Sequence, residues 1–418
     1  MRGVGNKRRI LIAGAGGALD GANIPGSVRV AIAEPQSFVP VADVRALTLQ
    51  RLKGCAAAIP ARTAEGGVLI LCDDITRPTP TSEIIPVLSD FLQEIGVAKD
   101  RQLVLFATGT HKAMNDKEAK KKIGEAYGWI KWLSHSRDTE LLRVGFTDGG
   151  IPVDVNPLVK EYAYVIGVGA VFPHRYCGWS GGGKIVLPGV SGARSVSATH
   201  WMPYHDASIT LGSMDNLAMR EIASAARISG LSFLIQVVCT GDGRVKDIVT
   251  GLPDAAHRQA IEIASQCMTV SVPESDIVVA EAWPEDADLW QAGKALYAAE
   301  NIVREGGEII LAAALPEGLG PHRLYAELMN SDPSEILSHR SGGESASVAA
   351  AAAFITARVR EKAKITIVTN SPHSIDITNT TGVRTYETFQ EAMDGAVSCK
   401  AGTVAVLRQA PLMLPVRK

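Results

Sequence analysis

Lys184 closes a glycine-rich run, Gly178-Trp179-Ser180-Gly181-Gly182-Gly183-Lys184, and His174 stands ten residues before it. The run matches the first seven positions of a phosphate-binding P-loop, but Ile185 stands where Ser or Thr would hold magnesium. Pro188 then interrupts the helix that such a loop must open, so an ATPase reading fails on both counts. The residue types still offer chemistry. Consecutive glycines let a backbone approach a ligand closely and present amide donors to phosphate oxygens. An amine followed by the apolar run Ile185-Val186-Leu187 is expected to be partly desolvated, which lowers its pKa and raises its nucleophilicity. A lone Gly-Lys would read as a surface lysine beside a turn; three glycines, two nearby aromatics and His174 weigh toward function.

Two further segments carry reactive types. Asp73-Asp74-Ile75-Thr76-Arg77-Pro78-Thr79-Pro80 follows an apolar run at 68–72, and Gly109-Thr110-His111 follows another at 103–107. His174 follows a third, at 164–168. Loops at the carboxyl ends of parallel strands are where such sheets build their sites, so Arg77, His111 and His174 are expected at one rim. Any one of them has a structural explanation, Asp74 as a helix cap for instance; three together would be an unusual coincidence. His200 and His205 are five apart with Pro203 between them, which is not the spacing of a zinc protease. One of the two remains open as a single metal ligand supplementing donors from elsewhere. In the second half, Trp290 or Gln291 and Lys294 share a face if the segment is helical. Gln and Lys can together grip a carboxylate; an ordinary amphipathic helix start reads the same way. Gly14-Ala15-Gly16-Gly17 follows a strand, as a dinucleotide fingerprint would, but Leu19 takes the place of its third glycine.

Short apolar runs alternating with longer amphipathic stretches must position these groups. Strands are predicted at 9–13, 28–33, 68–72, 103–107, 164–168, 233–239, 277–280, 309–312, 365–369 and 403–407. Several are continuously apolar, as strands covered on both faces should be. Helices are predicted at 82–95, 215–228, 254–269, 289–303 and 347–362. The alternation predicts an α/β fold of mainly parallel sheets flanked by helices. At 418 residues two domains are expected. The first spans 1–273, with the tail 407–418 returning to it, and the second spans 274–406. A net charge of -2 excludes nucleic acid as the main partner. The basic run Lys120-Lys121-Lys122 reads as a solvated helix face. The six cysteines are widely spaced without a C-x-x-C pair, which argues against a disulfide framework and for a reducing compartment. No stretch approaches a membrane-spanning length and the apolar run at 10–13 is too short for a signal peptide, so a cytoplasmic location is expected.

Asp74-Ile75-Thr76-Arg77-Pro78, Gly109-Thr110-His111 and the block from Phe172 to Gly189 resemble the nickel-pincer lactate racemase family. The resemblance covers essentially the whole chain, with Pro173-His174-x-x-x-Gly178-x-Ser180-Gly181-Gly182-x-Lys184 as its most specific block; His200 and Trp290-Gln291-x-x-Lys294 add to it. It implies a racemase or 2-epimerase of α-hydroxy acids working by reversible hydride transfer on a small-molecule 2-hydroxy acid. The implied cofactor is the nickel-pincer nucleotide, a pyridinium-3-thioamide-5-thiocarboxylic acid mononucleotide joined covalently to Lys184, with His200 completing the coordination of Ni. Cofactor-maturation enzymes are implied partners. Asp74, Thr76, Gly181, Gly182 and Gly183 fall to cofactor binding, and His111 and His174 to two general bases, one for each stereoisomer. Arg77, Cys177, Trp290, Gln291 and Lys294 fall to the substrate, with the site in an interdomain cleft. Trp290 replaces a frequent tyrosine, Cys177 a serine and Lys112 a frequent arginine, so the pocket walls are altered and larger 2-hydroxy acids stay open. The rival readings are a 2-hydroxy-acid dehydrogenase with an exchangeable nicotinamide cofactor and a non-catalytic metabolite-binding protein.

Overall fold

In this computed structural model the described residues are 7–13, 19–59, 63–136, 139–341, 343–399 and 402–418. The segment Gly14-Ala15-Gly16-Gly17 lies outside them. Two six-stranded sheets organise the chain. In chain order their strands begin with β1 (Arg29–Ala33), β2 (Val68–Asp73), β3 (Gln102–Ala107), β4 (Lys131–Ser134), β5 (Tyr164–Ala170) and β6 (Leu231–Cys239). They continue with β7 (Val245–Gly251), β8 (Ser275–Glu281), β9 (Val303–Ala312), β10 (Ala363–Val368), β11 (Thr385–Tyr386) and β12 (Thr403–Leu407). The chain divides into two compact units, Ser37–Cys267 and Met1–Gln36 with Met268–Lys418.

The Ser37–Cys267 unit holds the sheet β7-β6-β5-β2-β3-β4, parallel throughout except for β7. Every residue of β2, β3 and β5 is buried. Successive side chains point to opposite faces, so these strands are covered on both, which is why each reads as an unbroken apolar run. Helix Thr81–Glu94 buries Ile84, Ile85, Leu88, Phe91 and Leu92, the stripe expected of an amphipathic helix. From β2 the chain winds outward through β3 to β4, then returns to lay β5 on the other side of β2. The loops leaving β2 and β5 therefore part in opposite directions. A crevice at such a switch point is where open α/β sheets bind ligands.

The other unit holds the fully parallel sheet β11-β10-β9-β8-β12-β1. Here the fold departs from the domain boundaries read in the sequence. Strand β1 pairs with β12, and the antiparallel hairpin Lys7–Ala13 with Leu19–Pro25 packs Ile10, Ile12, Ala22 and Ile24 into one core with Val279, Ile310 and Phe389. The first 36 residues thus group with the C-terminal unit rather than with an N-terminal domain of 1–273. The tail stays there too, because Leu414–Arg417 pairs with Thr269–Val272. The helix predicted at 289–303 is broken at Gly293 into Leu289–Ala292 and Lys294–Glu300. Ala349 to Ala353 are buried in helix Glu344–Lys362, as close packing against a neighbour requires. Among the described residues no helix is long and apolar enough to cross a membrane.

Candidate active site

The loop leaving β2 turns on Asp74. Its Oδ1 accepts hydrogen bonds from the Thr76 amide (2.8 Å) and hydroxyl (2.5 Å), and its Oδ2 lies 2.8 Å from His111 Nδ1. Burial by itself would raise the Asp74 pKa. The hydrogen bond and charge of His111, the charge of Arg77 and the Thr76 hydroxyl outweigh it and hold the carboxyl well below the usual range. A carboxylate only accepts, so Nδ1 of His111 carries the hydrogen and Nε2 is left as the basic nitrogen. His111 itself sits just past β3, where Gly109 N–H donates to the carbonyl of Gly189 (2.8 Å) and ties this loop to the glycine-rich block.

The loop leaving β5 folds into a two-residue antiparallel ladder, Pro173 opposite Trp179 and His174 opposite Gly178. Gly178 has φ +84, and a Cβ there would meet the Ser213 carbonyl oxygen at 1.8 Å. Nδ1 of His174 accepts from the Tyr176 amide (3.3 Å) and lies 3.5 Å from Cys177 Sγ. Beyond the ladder the chain makes a tight turn, Gly182–Ile185, which carries Lys184. Two groups hold this turn from below. Gln236 Oε1, on β6, accepts from Gly182 N–H (2.6 Å), and His257 Nε2 lies 3.0 Å from the Ser180 carbonyl. Gly182 adopts φ +57 with room for a Cβ only 2.3 Å from His257 Nδ1, so no side chain fits. Lys184 therefore follows a backbone with no slack, and its amine contacts the Cys177 thiol. Burial pushes that amine below its ordinary pKa, with the charge of Arg77 acting in the same sense. Burial pushes the Cys177 thiol up. A cavity beside the turn is lined by Cys177, Trp179, Lys184, Ile222, Asp254 and His257.

His200 ends helix Ala193–His200. Its Nδ1 lies 2.9 Å from the Val196 carbonyl, which can only accept; Nδ1 therefore carries the hydrogen and Nε2 keeps its lone pair. Burial, assisted by the charge of Lys184, lowers its pKa to about 4, so the ring is neutral at pH 7. Neutral imidazole with its second nitrogen anchored on a carbonyl is the usual form of a metal-ligating histidine. His205 is exposed and packs edge-on against Tyr204.

The expected residues Asp74, Thr76, Arg77, His111, His174, Cys177, Lys184 and His200 thus form one connected cluster within the Ser37–Cys267 unit. Two members were not foreseen. The Tyr176 ring lies 5.6 Å from that of His174 and 4.9 Å from that of His200, spanning the two. Lys122, read as part of a solvated face, is only 4% exposed, while its neighbours Lys120 and Lys121 are exposed. Trp290, Gln291 and Lys294 belong to the other unit and form a cluster of their own. Asp288 caps their short helix by accepting from Gln291 N–H (2.8 Å), and Lys294 Nζ reaches Glu285 (2.6 Å) and Gln291 Oε1 (2.5 Å). The Trp290 ring lies 4.2 Å from His322 and edge-on to Tyr325.

The lactate racemase N-terminal domain family matches residues 19–212, and the lactate racemase C-terminal domain family matches residues 270–409. Lactate racemase of Lactiplantibacillus plantarum is 30% identical over 279 residues, 65% of either chain. Lactate racemase of Thermoanaerobacterium thermosaccharolyticum is 28% identical over 284 residues. The aligned part spans 66% of that relative's length and 66% of this chain. In fold, the lactate racemase apoprotein of the same organism superposes with a TM-score of 0.86 at 23% identity, covering 98% of this chain and 100% of its own. A protein from Thermotoga maritima superposes with a TM-score of 0.71 at 20% identity, over 91% of this chain and 100% of its own. With both domain families matched in order along its length, the chain belongs to the lactate racemase family.

Proposed function

We propose that this chain interconverts the stereoisomers of a small 2-hydroxy acid by removing and returning hydride at the carbon that bears the hydroxyl. The observation that carries the reading is Lys184, a half-buried lysine whose amine contacts the Cys177 thiol. Burial lowers its pKa, which favours the free, nucleophilic amine. That suits covalent attachment of a nickel-pincer nucleotide, and Nε2 of His200 suits its metal. When bound, the nucleotide would supply the hydride acceptor. The chain's own groups do the rest. Arg77 grips the substrate carboxylate, and Cys177 is a further substrate contact. His111, oriented by Asp74, takes the hydroxyl proton from one stereoisomer and His174 from the other. Loss of proton and hydride leaves a planar keto acid, to which both return on either face.

The test uses protein produced together with cofactor-maturation enzymes. Intact mass is expected to show an adduct on the wild-type chain and none on Lys184→Ala. The adducted protein is expected to interconvert stereoisomers of at least one acid in a panel containing lactate, malate, aromatic lactates and sugar acids. An unmodified wild-type chain, or no interconversion across the panel, overturns the reading.

A further inference from the structure

Lysine is almost never buried without partners. Lys122 lies in the last turn of helix Asp116–Ile123, and its ammonium points beneath the loop that carries Asp74, Thr76 and Arg77. It donates to the carbonyls of Arg77 (2.8 Å) and Thr79 (3.3 Å). With two of its three hydrogens engaged there, it faces Asp73 Oδ1 at 2.9 Å as a charge pair without hydrogen-bond alignment. The other Asp73 oxygen accepts from the Thr79 hydroxyl and from Ala170 N–H (3.4 Å), at the end of β5. One ammonium and one carboxylate thus fasten the loop to both strands that flank the switch-point crevice.

The helix is held at both ends. Thr81 Oγ1 donates to the carbonyl of Lys122 itself (2.6 Å), and at the start Asn115 and Glu118 form a capping box. The residue before that cap, Met114, donates its amide to Ser134 and accepts from the Ile75 amide on sulfur (3.4 Å). The helix therefore begins where the His111 segment ends and finishes under the Arg77 loop. Pro78 restricts the backbone of Arg77, so fixing the Arg77 carbonyl fixes the peptide plane from which its guanidinium extends.

We propose that Lys122 is a positioning residue that sets the direction of Arg77, and through it the grip on the substrate carboxylate. This rests on the reading of Arg77 as that grip. Lys122→Met by itself would strand a buried carboxylate and unfold part of the unit, so the informative variant is the pair Asp73→Asn with Lys122→Met. It removes both charges and leaves the Arg77 carbonyl without its donor. In the folded holoenzyme the double variant is expected to raise KM for the 2-hydroxy acid by about tenfold or more while kcat changes by less than about threefold, because loss of carboxylate binding acts on ground and transition state alike. Amide hydrogen exchange at Thr76 and Arg77 is expected to quicken while β3 keeps its protection, and Lys122→Arg is expected to restore part of both effects. A folded double variant with wild-type exchange at Thr76 and Arg77 overturns the proposal. So does a kcat loss with KM unchanged. If wild-type holoenzyme turns over no 2-hydroxy acid, the proposed function fails, and the exchange measurement still decides whether Lys122 holds the loop.

Discussion

Asp74 and His111 form an ion pair in the site, 2.8 Å apart with the carboxylate almost fully buried. With His111 as the proposed base, the carboxylate would do two things at once: fix the ring's tautomer and favour the imidazolium formed on proton uptake. Asp74→Asn keeps the shape and loses both effects, so kcat/KM is expected to fall by about 100-fold or more with the fold retained. The sign of the pH dependence follows from the lowered Asp74 pKa. Its stabilising contribution is complete above the unfolded carboxyl value of about 4 and is lost as pH falls toward the lower folded value. The stability gap between wild type and Asp74→Asn, measured by denaturant titration, is therefore expected to be widest near neutrality and to close in acid. A gap that is constant with pH would remove the charge from the account. At this scale the reactive types were legible in the sequence, because His, Lys and Arg after strand ends announce themselves. Tyr176 and Lys122 were not. Their roles come from neighbours far away in the chain, and nothing in Lys120-Lys121-Lys122 marks which of the three turns inward.

The glycine-rich block behaves as an element whose geometry is set by what lies beneath it. Two of its glycines make the argument quantitative in rank. Gly178 faces a backbone oxygen, the Ser213 carbonyl, whereas Gly182 faces the ring of His257. A side chain can shift more readily than a backbone carbonyl, so Gly178→Ala is expected to cost more stability than Gly182→Ala, with both in the range of about 1–3 kcal/mol or above. His257→Ala is expected to recover part of the Gly182→Ala loss but none of the Gly178→Ala loss, and urea midpoints give the comparison. Equal costs, or rescue of both, would show that positive φ rather than close approach decides. The central strands of both sheets could be read from the sequence because full burial leaves no polar alternation to confuse them, whereas the partly exposed β4, β7 and β11 were not predicted. Helix Ala193–His200, which presents His200, gave no such signal: it is short and only Ser195, Val196 and Thr199 are buried.

For the whole molecule, the order of the chain and the order of the fold disagree. Residues up to Gln36 complete the unit that contains the C-terminus, so its sheet closes on a strand 374 residues removed from its partner, Val30 opposite Val404 and Ile32 opposite Val406. Composition along the chain cannot reveal such pairing, since an edge strand such as β1 looks alike beside any parallel neighbour. The consequence is a test of where stability is stored. Ile12 is 1% exposed in the core that joins the first hairpin to Val279 and Phe389. Ile12→Ala is expected to destabilise that core by about 2–4 kcal/mol through lost burial and the cavity left behind. In native-state hydrogen exchange the opening free energy is expected to drop for amides of β8, β9 and β12, far from Ile12 in sequence for all three. Amides of β2, β3 and β5, which carry the loops of Asp74, His111 and His174, are expected to keep theirs, because the Ser37–Cys267 unit has its own core. A drop confined to the N-terminal hairpin would mean that it is only an appendage. A drop shared equally by β2 and β5 would mean that the two units unfold as one, and the site would then draw its stability from the whole chain.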